Sequence, residues 1–121
     1  MKTKNFSFML LLIANIMLCF TSCRKENDGN ITTLKKLYSI CKNGEIEECK
    51  YNDETVYSAT YNAYDAPSVI YDSKGNQIGD CNYAWGHVDA ICGQLQDCRV
   101  IYRCHNHISG QPFVDIYNLS H

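Results

Sequence analysis

Eight cysteines in a chain of 121 residues narrow this sequence more than any other feature. Cysteine at this density points to disulfides or metal before anything else. The chain is short enough for one domain and not two. Hydrophobic residues make up 45% of it, which excludes a disordered polyelectrolyte. Its formal net charge of -2 gives no electrostatic footprint for nucleic acid, so no nucleic-acid partner is expected.

The cysteines divide by job once the N-terminus is read. Lys2 and Lys4 form a short positive start, and Phe8 to Phe20 is apolar at every position but Asn15. At ~1.5 Å per residue that run is short for a ~30 Å hydrocarbon core. It fits the apolar region of a signal peptide, which stands outside the fold. Phe20-Thr21-Ser22-Cys23 resembles a bacterial lipobox, in which small residues precede a cysteine that is lipidated and becomes the new N-terminus. Cys19 is a poorer site, because bulky Leu18 precedes it. The reading is a signal peptide over 1–22, a lipidated Cys23 with a flexible tether to residue 30, and one domain over 31–121. The lipid resemblance implies a membrane partner through two or three acyl chains, palmitate among them. At ~0.8 kcal/mol per buried methylene these hold without a transmembrane helix.

Removing the signal changes the arithmetic. Lys2 and Lys4 leave, so 11 positive charges become 9 against 13 acids, net -4. Cys41, Cys49, Cys81, Cys92, Cys98 and Cys104 remain for the domain. An even set in an exported domain predicts up to three disulfides. Six cysteines allow fifteen pairings. Residues 99–103 read as a strand, which would hold Cys98 and Cys104 about 20 Å apart, whereas a disulfide needs Cα atoms about 5.5 Å apart. That pair is excluded, and the remaining pairings stay open.

Residues 24–30 (RKENDGN) read as the tether. Ile31, Leu34, Leu37 and Tyr38 recur at helical spacing and predict a short amphipathic helix over 31–40. Runs 46–51 and 55–61 around Asn52-Asp53-Glu54 predict a hairpin. A third strand follows at 68–71 after Ala66-Pro67, then a turn at Asp72-Ser73-Lys74-Gly75-Asn76, with a return strand beginning at Gln77. Gly79 to Gly86 reads as loop, 88–95 as one or two helical turns, and 99–103 and 113–117 as the last strands. The expected class is α+β, a short N-terminal helix with a small antiparallel sheet.

Residues 46–81 resemble a group of small cysteine-containing Bacteroidetes cell-envelope lipoproteins of unknown function. Ile46-Glu47-Glu48, Tyr51, Val56-Tyr57, Ile70-Tyr71-Asp72, Gly75-Asn76 and Ile78 carry the resemblance, with a cysteine after them. Members often place that cysteine directly after the isoleucine, whereas here Gly79-Asp80 intervene before Cys81. They often carry another soon after the Val-Tyr strand, where 59–65 has none. The resemblance implies an outer-membrane lipoprotein, facing the periplasm or the cell surface, and a scaffold rather than a mechanism. Lys25-Glu26-Asn27-Asp28 also resembles the charged segment that sends some such lipoproteins to the surface.

Candidate chemistry is thin. Cys104, His105 and His107 with Cys92 and Cys98 invite zinc, but the gaps between successive cysteines, 8, 32, 11, 6 and 6, lack the paired spacing of zinc modules. No metal or other cofactor is expected. The 72–76 turn has Lys74 where a calcium loop needs an oxygen donor. Cys92-Gly93 lacks a nucleophile signature. Asp80, Asp89 and Asp97 would serve glycoside hydrolysis only as a pair flanking a cleft. No enzymatic activity is expected.

The nine tyrosines and single tryptophan are more informative. Tyr57, Ala59 and Tyr61 alternate on one strand face. Tyr61-Asn62-Ala63-Tyr64 and Asn82-Tyr83-Ala84-Trp85 place aromatic and Asn residues together twice. Such surfaces give large contact area at low entropy cost. Tyr61, Tyr64, Tyr83 and Trp85 are therefore the candidate binding surface for a protein or glycan. The expected function is a non-enzymatic binding or interaction module. The alternatives are a protein inhibitor or immunity-like factor presenting loop 82–87, and a small envelope hydrolase.

Overall fold

The computed structural model describes residues 27–121, with side chains from residue 30. The segment expected to be a signal peptide, with Cys19, and the expected lipidation site Cys23 lie outside the described residues. Among those described, no helix is long and apolar enough to cross a membrane.

Among the described residues, one α-helix, α1 (Asn27–Cys41), precedes a seven-stranded antiparallel sheet. The strands are β1 (Gly44–Tyr51), β2 (Glu54–Tyr61), β3 (Ser68–Asp72), β4 (Gln77–Asn82), β5 (His87–Val88), β6 (Gln96–Arg103) and β7 (Val114–Asp115). A 3-10 turn at Ala90–Gly93 joins β5 to β6. The order across the sheet is β5-β4-β3-β2-β1-β6-β7, so the two outermost strands are two residues each. Short edges offer little template for pairing with another chain. The α+β class and the small antiparallel sheet stand as the sequence predicts.

The helix starts four residues earlier than its apolar spacing shows, so 27–30 belong to α1 and not to a free tether. Leu34, Leu37 and Cys41 form the buried stripe, with Ile31 and Tyr38 packed beside it. Ile40, off that stripe, is exposed. The β1–β2 hairpin closes with Tyr51 opposite Glu54. Its two turn residues, Asn52 and Asp53, have φ of 48° and 61°. A two-residue hairpin turn of this hand needs positive φ at both positions, which Asn and Asp tolerate.

Both faces of the sheet are covered. On one, α1 buries Ile46, Tyr57, Ala59, Ile101 and Tyr102. Ile101 and Tyr102 are consecutive yet share this cluster, because the β1–β6 register shifts between Ile46 and Glu47 and leaves Ile101 as the extra residue of a bulge. On the other face, Cys49, Val56, Ile70 and Cys81 pack under Ile91 of the 3-10 turn. Burying each of the large aliphatic side chains contributes roughly 1.5–3 kcal/mol.

Two disulfides staple this second face: Cys49–Cys98, joining β1 to β6, and Cys81–Cys92, joining β4 to the 3-10 turn. Cys41 and Cys104 are buried free thiols, so two of the three expected bridges are formed. The shift between Ile46 and Glu47 sets Glu48 opposite Arg99, and one step further along this register Cys98 stands opposite Cys49; a second shift, between Glu48 and Lys50, then leaves Asp97, at φ 51°, as an extra residue.

Residues 79–82 are strand, not loop. β4 continues to Asn82, because Asp80 and Cys81 pair with Val69 and Ser68 of β3. The 88–95 segment holds one 3-10 turn, and the last strand is only Val114–Asp115 rather than 113–117. Residue Gly75, at φ 84°, completes the 72–76 turn.

Candidate functional site

The antiparallel register sorts the connections to two ends. At one end Gly44 stands opposite Tyr61, Thr60 opposite Ser68, Ser68 opposite Cys81, and Glu45 opposite Arg103. Loops 62–67, 83–86 and 104–113 therefore all leave the sheet there, next to the C-terminus of α1. The tight turns at 52–53 and 73–76 lie at the other end. The middle of α1 is tied to that turn end, where Thr33 Oγ1 donates to the Ser73 carbonyl at 2.8 Å and Lys36 Nζ to that of Gly75 at 3.1 Å.

All four candidate aromatics fall at the loop end, and all are open to solvent: Tyr61 53%, Tyr64 86%, Tyr83 70% and Trp85 85% exposed. Tyr61 ends β2, and Tyr83 follows the end of β4. One strand separates β2 from β4, so these groups start about 10 Å apart. Tyr57 and Ala59, on the same face of β2 as Tyr61, are core instead.

The asparagines beside these rings hold the loops rather than face a ligand. Asn82 Oδ1 accepts the Trp85 N–H at 3.2 Å. Asn62 Oδ1 accepts the Ile108 N–H at 2.8 Å, and its amide donates to the Asn106 carbonyl at 3.4 Å. Loop 62–67 is thereby joined to loop 104–113. The repeated Asn-aromatic pattern is loop chemistry, and the rings beside it stay open to solvent.

A cleft of about 470 Å³ opens at the same end, lined by Tyr38 and Lys42 from the helix side, Tyr102 and Cys104 from β6 and beyond, and His105 and Phe113 from the last loop. Its aromatic wall is continuous. Tyr38 meets Tyr102 edge-on at 5.1 Å, Tyr102 meets Phe113 at 6.2 Å, and His105 stacks on Phe113 at 4.0 Å. Burial, and then the nearby Tyr38, push the Tyr102 phenol up to about 12, so it stays a neutral donor to the Lys42 carbonyl. Linear spacing gives no sign of this wall, because its rings come from three separate segments.

The other candidates are dispersed. Cys92 and Cys98 are in different disulfides, His105 is stacked, and His107 Nδ1 lies 2.7 Å from Ser109 Oγ. Among the described residues, metal-type atoms approach one another at Glu47, Cys49 and Cys98, but those two sulfurs are bonded to each other. The Asp72 carboxylate accepts from the Lys74 and Asn76 N–H groups and the Asn76 amide, which holds it below its ordinary value. Asp89 receives the Asp80 N–H at 2.8 Å, whereas Asp97 lies on β6, four strand positions from β4 and about 19 Å away.

No protein-family model matches this chain, and neither a curated protein nor a solved structure matches it.

Proposed function

We propose that this chain is a lipid-anchored cell-envelope binding module, non-enzymatic, whose recognition surface is the aromatic loop end. One observation carries the reading: Tyr61, Tyr64, Tyr83 and Trp85 all lie exposed at the end of the sheet opposite the start of α1. Large apolar rings left in water at one place mark interaction sites more often than scattered ones do. The site of lipidation, Cys23, lies four positions before the first residue of α1. A helix of 15 residues rises about 22 Å, so an anchor at its start would hold the aromatic end away from the bilayer. That is the orientation a module recruiting a glycan or a protein needs.

A protein inhibitor is the second reading. It is favoured by loop 83–86, which follows disulfide-bonded Cys81 and presents Trp85 on a pinned turn.

The test compares wild type with a Tyr64→Ala/Trp85→Ala double variant on a glycan array and in pull-downs from envelope extract. A glycan or protein retained by wild type and lost by the variant supports the reading. Identical profiles for the two would sink it. Palmitate labelling of Cys23→Ala tests the anchor separately, and labelling that survives the substitution refutes it.

A further inference from the structure

We propose that Cys41 and Cys104 are a dithiol pair that oxidises to a third disulfide, locking the end of α1 onto the end of β6. The pairing rests on Gly44. Cys104 N–H donates to the Gly44 carbonyl at 2.9 Å, continuing the β1–β6 ladder one step past the Glu45–Arg103 pair. Gly44 and Cys104 thus face each other across the two strands, where opposed Cβ positions are about 4.5–5.5 Å apart. Gly44 has no side chain, and the sulfur of Cys41 fills the vacated space: a Cβ at Gly44 would stand 2.7 Å from Cys41 Sγ. The two distances bound Cys41 Sγ to within about 8 Å of Cys104 Cβ. Both cysteines belong to the helix-side core, so the sulfurs share one face.

The present contacts hold the pair reduced but near. Cys41 Sγ donates to the Thr60 carbonyl at 3.0 Å. Burial, and more weakly the neighbouring Cys104, push the Cys41 thiol up, so Cys41 is slow to ionise. Cys104 lines the cleft and is the sulfur a reagent reaches first. Cys104 thiolate attacks one sulfur of a disulfide donor and expels the donor's other sulfur as a thiolate. Cys41, once deprotonated, attacks Cys104 Sγ in the mixed disulfide, and the donor's second thiolate leaves. The pair loses two electrons and two protons, and the donor departs as two thiols. Rotation about χ1 of both residues, with a small shift of the helix end, brings the sulfurs into bonding distance.

The experiment treats the full mature chain with oxidised glutathione, then maps thiols by alkylation and peptide mass spectrometry without reduction. The expected result is loss of alkylation at Cys41 and Cys104 and a cross-linked peptide containing both, with Cys49–Cys98 and Cys81–Cys92 unchanged. In Cys41→Ser, Cys104 should carry glutathione or remain alkylatable, with no internal cross-link. Persistence of both wild-type thiols under oxidant, or a cross-link of Cys41 to any cysteine but Cys104, overturns the proposal.

Discussion

Gly79 lies directly beneath Ile91: a Cβ on the glycine would collide with Ile91 Cγ2 while touching Ile70 at 3.5 Å. This contact lets the 3-10 turn close onto β4 and seal the second core. Ile91 is β-branched and stiff at χ1, so it cannot swing aside cheaply. Gly79→Ala should therefore lower stability by roughly 1–3 kcal/mol through overpacking. Ile91→Ala alone should cost about 2–5 kcal/mol through the cavity it leaves. In the double variant the new methyl occupies part of that cavity. Urea unfolding of all four proteins should give a double-variant loss smaller than the sum of the single losses, and strict additivity would show that the two residues are not in contact.

The two disulfides should differ in worth. Cys49–Cys98 closes a span of 49 residues and Cys81–Cys92 one of 11. Chain-entropy arguments assign about 4 kcal/mol to the first and about 3 kcal/mol to the second. Paired alanine substitution at 49 and 98 should lower the urea midpoint more than the same change at 81 and 92. The reverse order would mean that the short loop, by pinning the 3-10 turn over Ile70, does more in the native state than the long one does in the unfolded chain.

The parts legible in the sequence are those set by local chemistry. The β1–β2 hairpin is readable because Asn52-Asp53 sits between two alternating runs and both residues accept positive φ. The stripe of α1 is readable from Ile31 to Tyr38, but its first turn is polar and carries no period. β4 looks like loop because Gly79 and Asp80 are poor strand formers. What makes them strand is β3 on one side and Ile91 above, neither of which is adjacent in sequence. The pairing of Cys49 with Cys98 depends on a bulge, and a bulge shifts register without a spacing signal. The exposed rings are legible from their neighbouring asparagines and composition, whereas the cleft wall of Tyr38, Tyr102, Phe113 and His105 exists only after the chain has closed.

Tyr57 is fully buried, and its hydroxyl has no hydrogen-bond partner. Removing an unsatisfied buried polar atom removes a desolvation cost, so Tyr57→Phe should be neutral or stabilising by up to about 1 kcal/mol. The same burial, then Glu48 and Tyr117, push its phenol up from 10 to about 12. A raised folded value means the unfolded chain ionises first as pH rises. Stability is therefore fully present below pH 10 and is lost between 10 and about 12, by up to roughly 2–3 kcal/mol for this group. Tyr57→Phe should lose less stability than wild type across that interval, measured by denaturant unfolding at a series of alkaline pH values. A variant that is less stable at neutral pH would show that the hydroxyl has a partner.

Asp115 holds the C-terminus against the main core. Its Oδ1 accepts the Leu119 N–H at 2.7 Å, and its Oδ2 accepts the Ser120 N–H at 3.0 Å and the Ser120 hydroxyl at 2.7 Å. Leu119 is thereby set into the helix-side cluster. Burial alone would raise this carboxyl. The Ser120 hydroxyl, the two N–H groups and the nearby His121 outweigh it and hold the group below its ordinary 3.8. A depressed folded value contributes stability that is present above the unfolded value near 3.8 and is lost as pH falls through the lower folded value. Asp115→Asn keeps the shape and one acceptor oxygen but removes the charge, and should cost about 1–2 kcal/mol at neutral pH. Asp72 is also depressed, but it is present in both proteins. The difference in unfolding free energy between wild type and Asp115→Asn therefore isolates Asp115. That difference should shrink as pH drops below 4, and a difference that stays constant into acid would show that the carboxylate charge plays no part in seating Leu119.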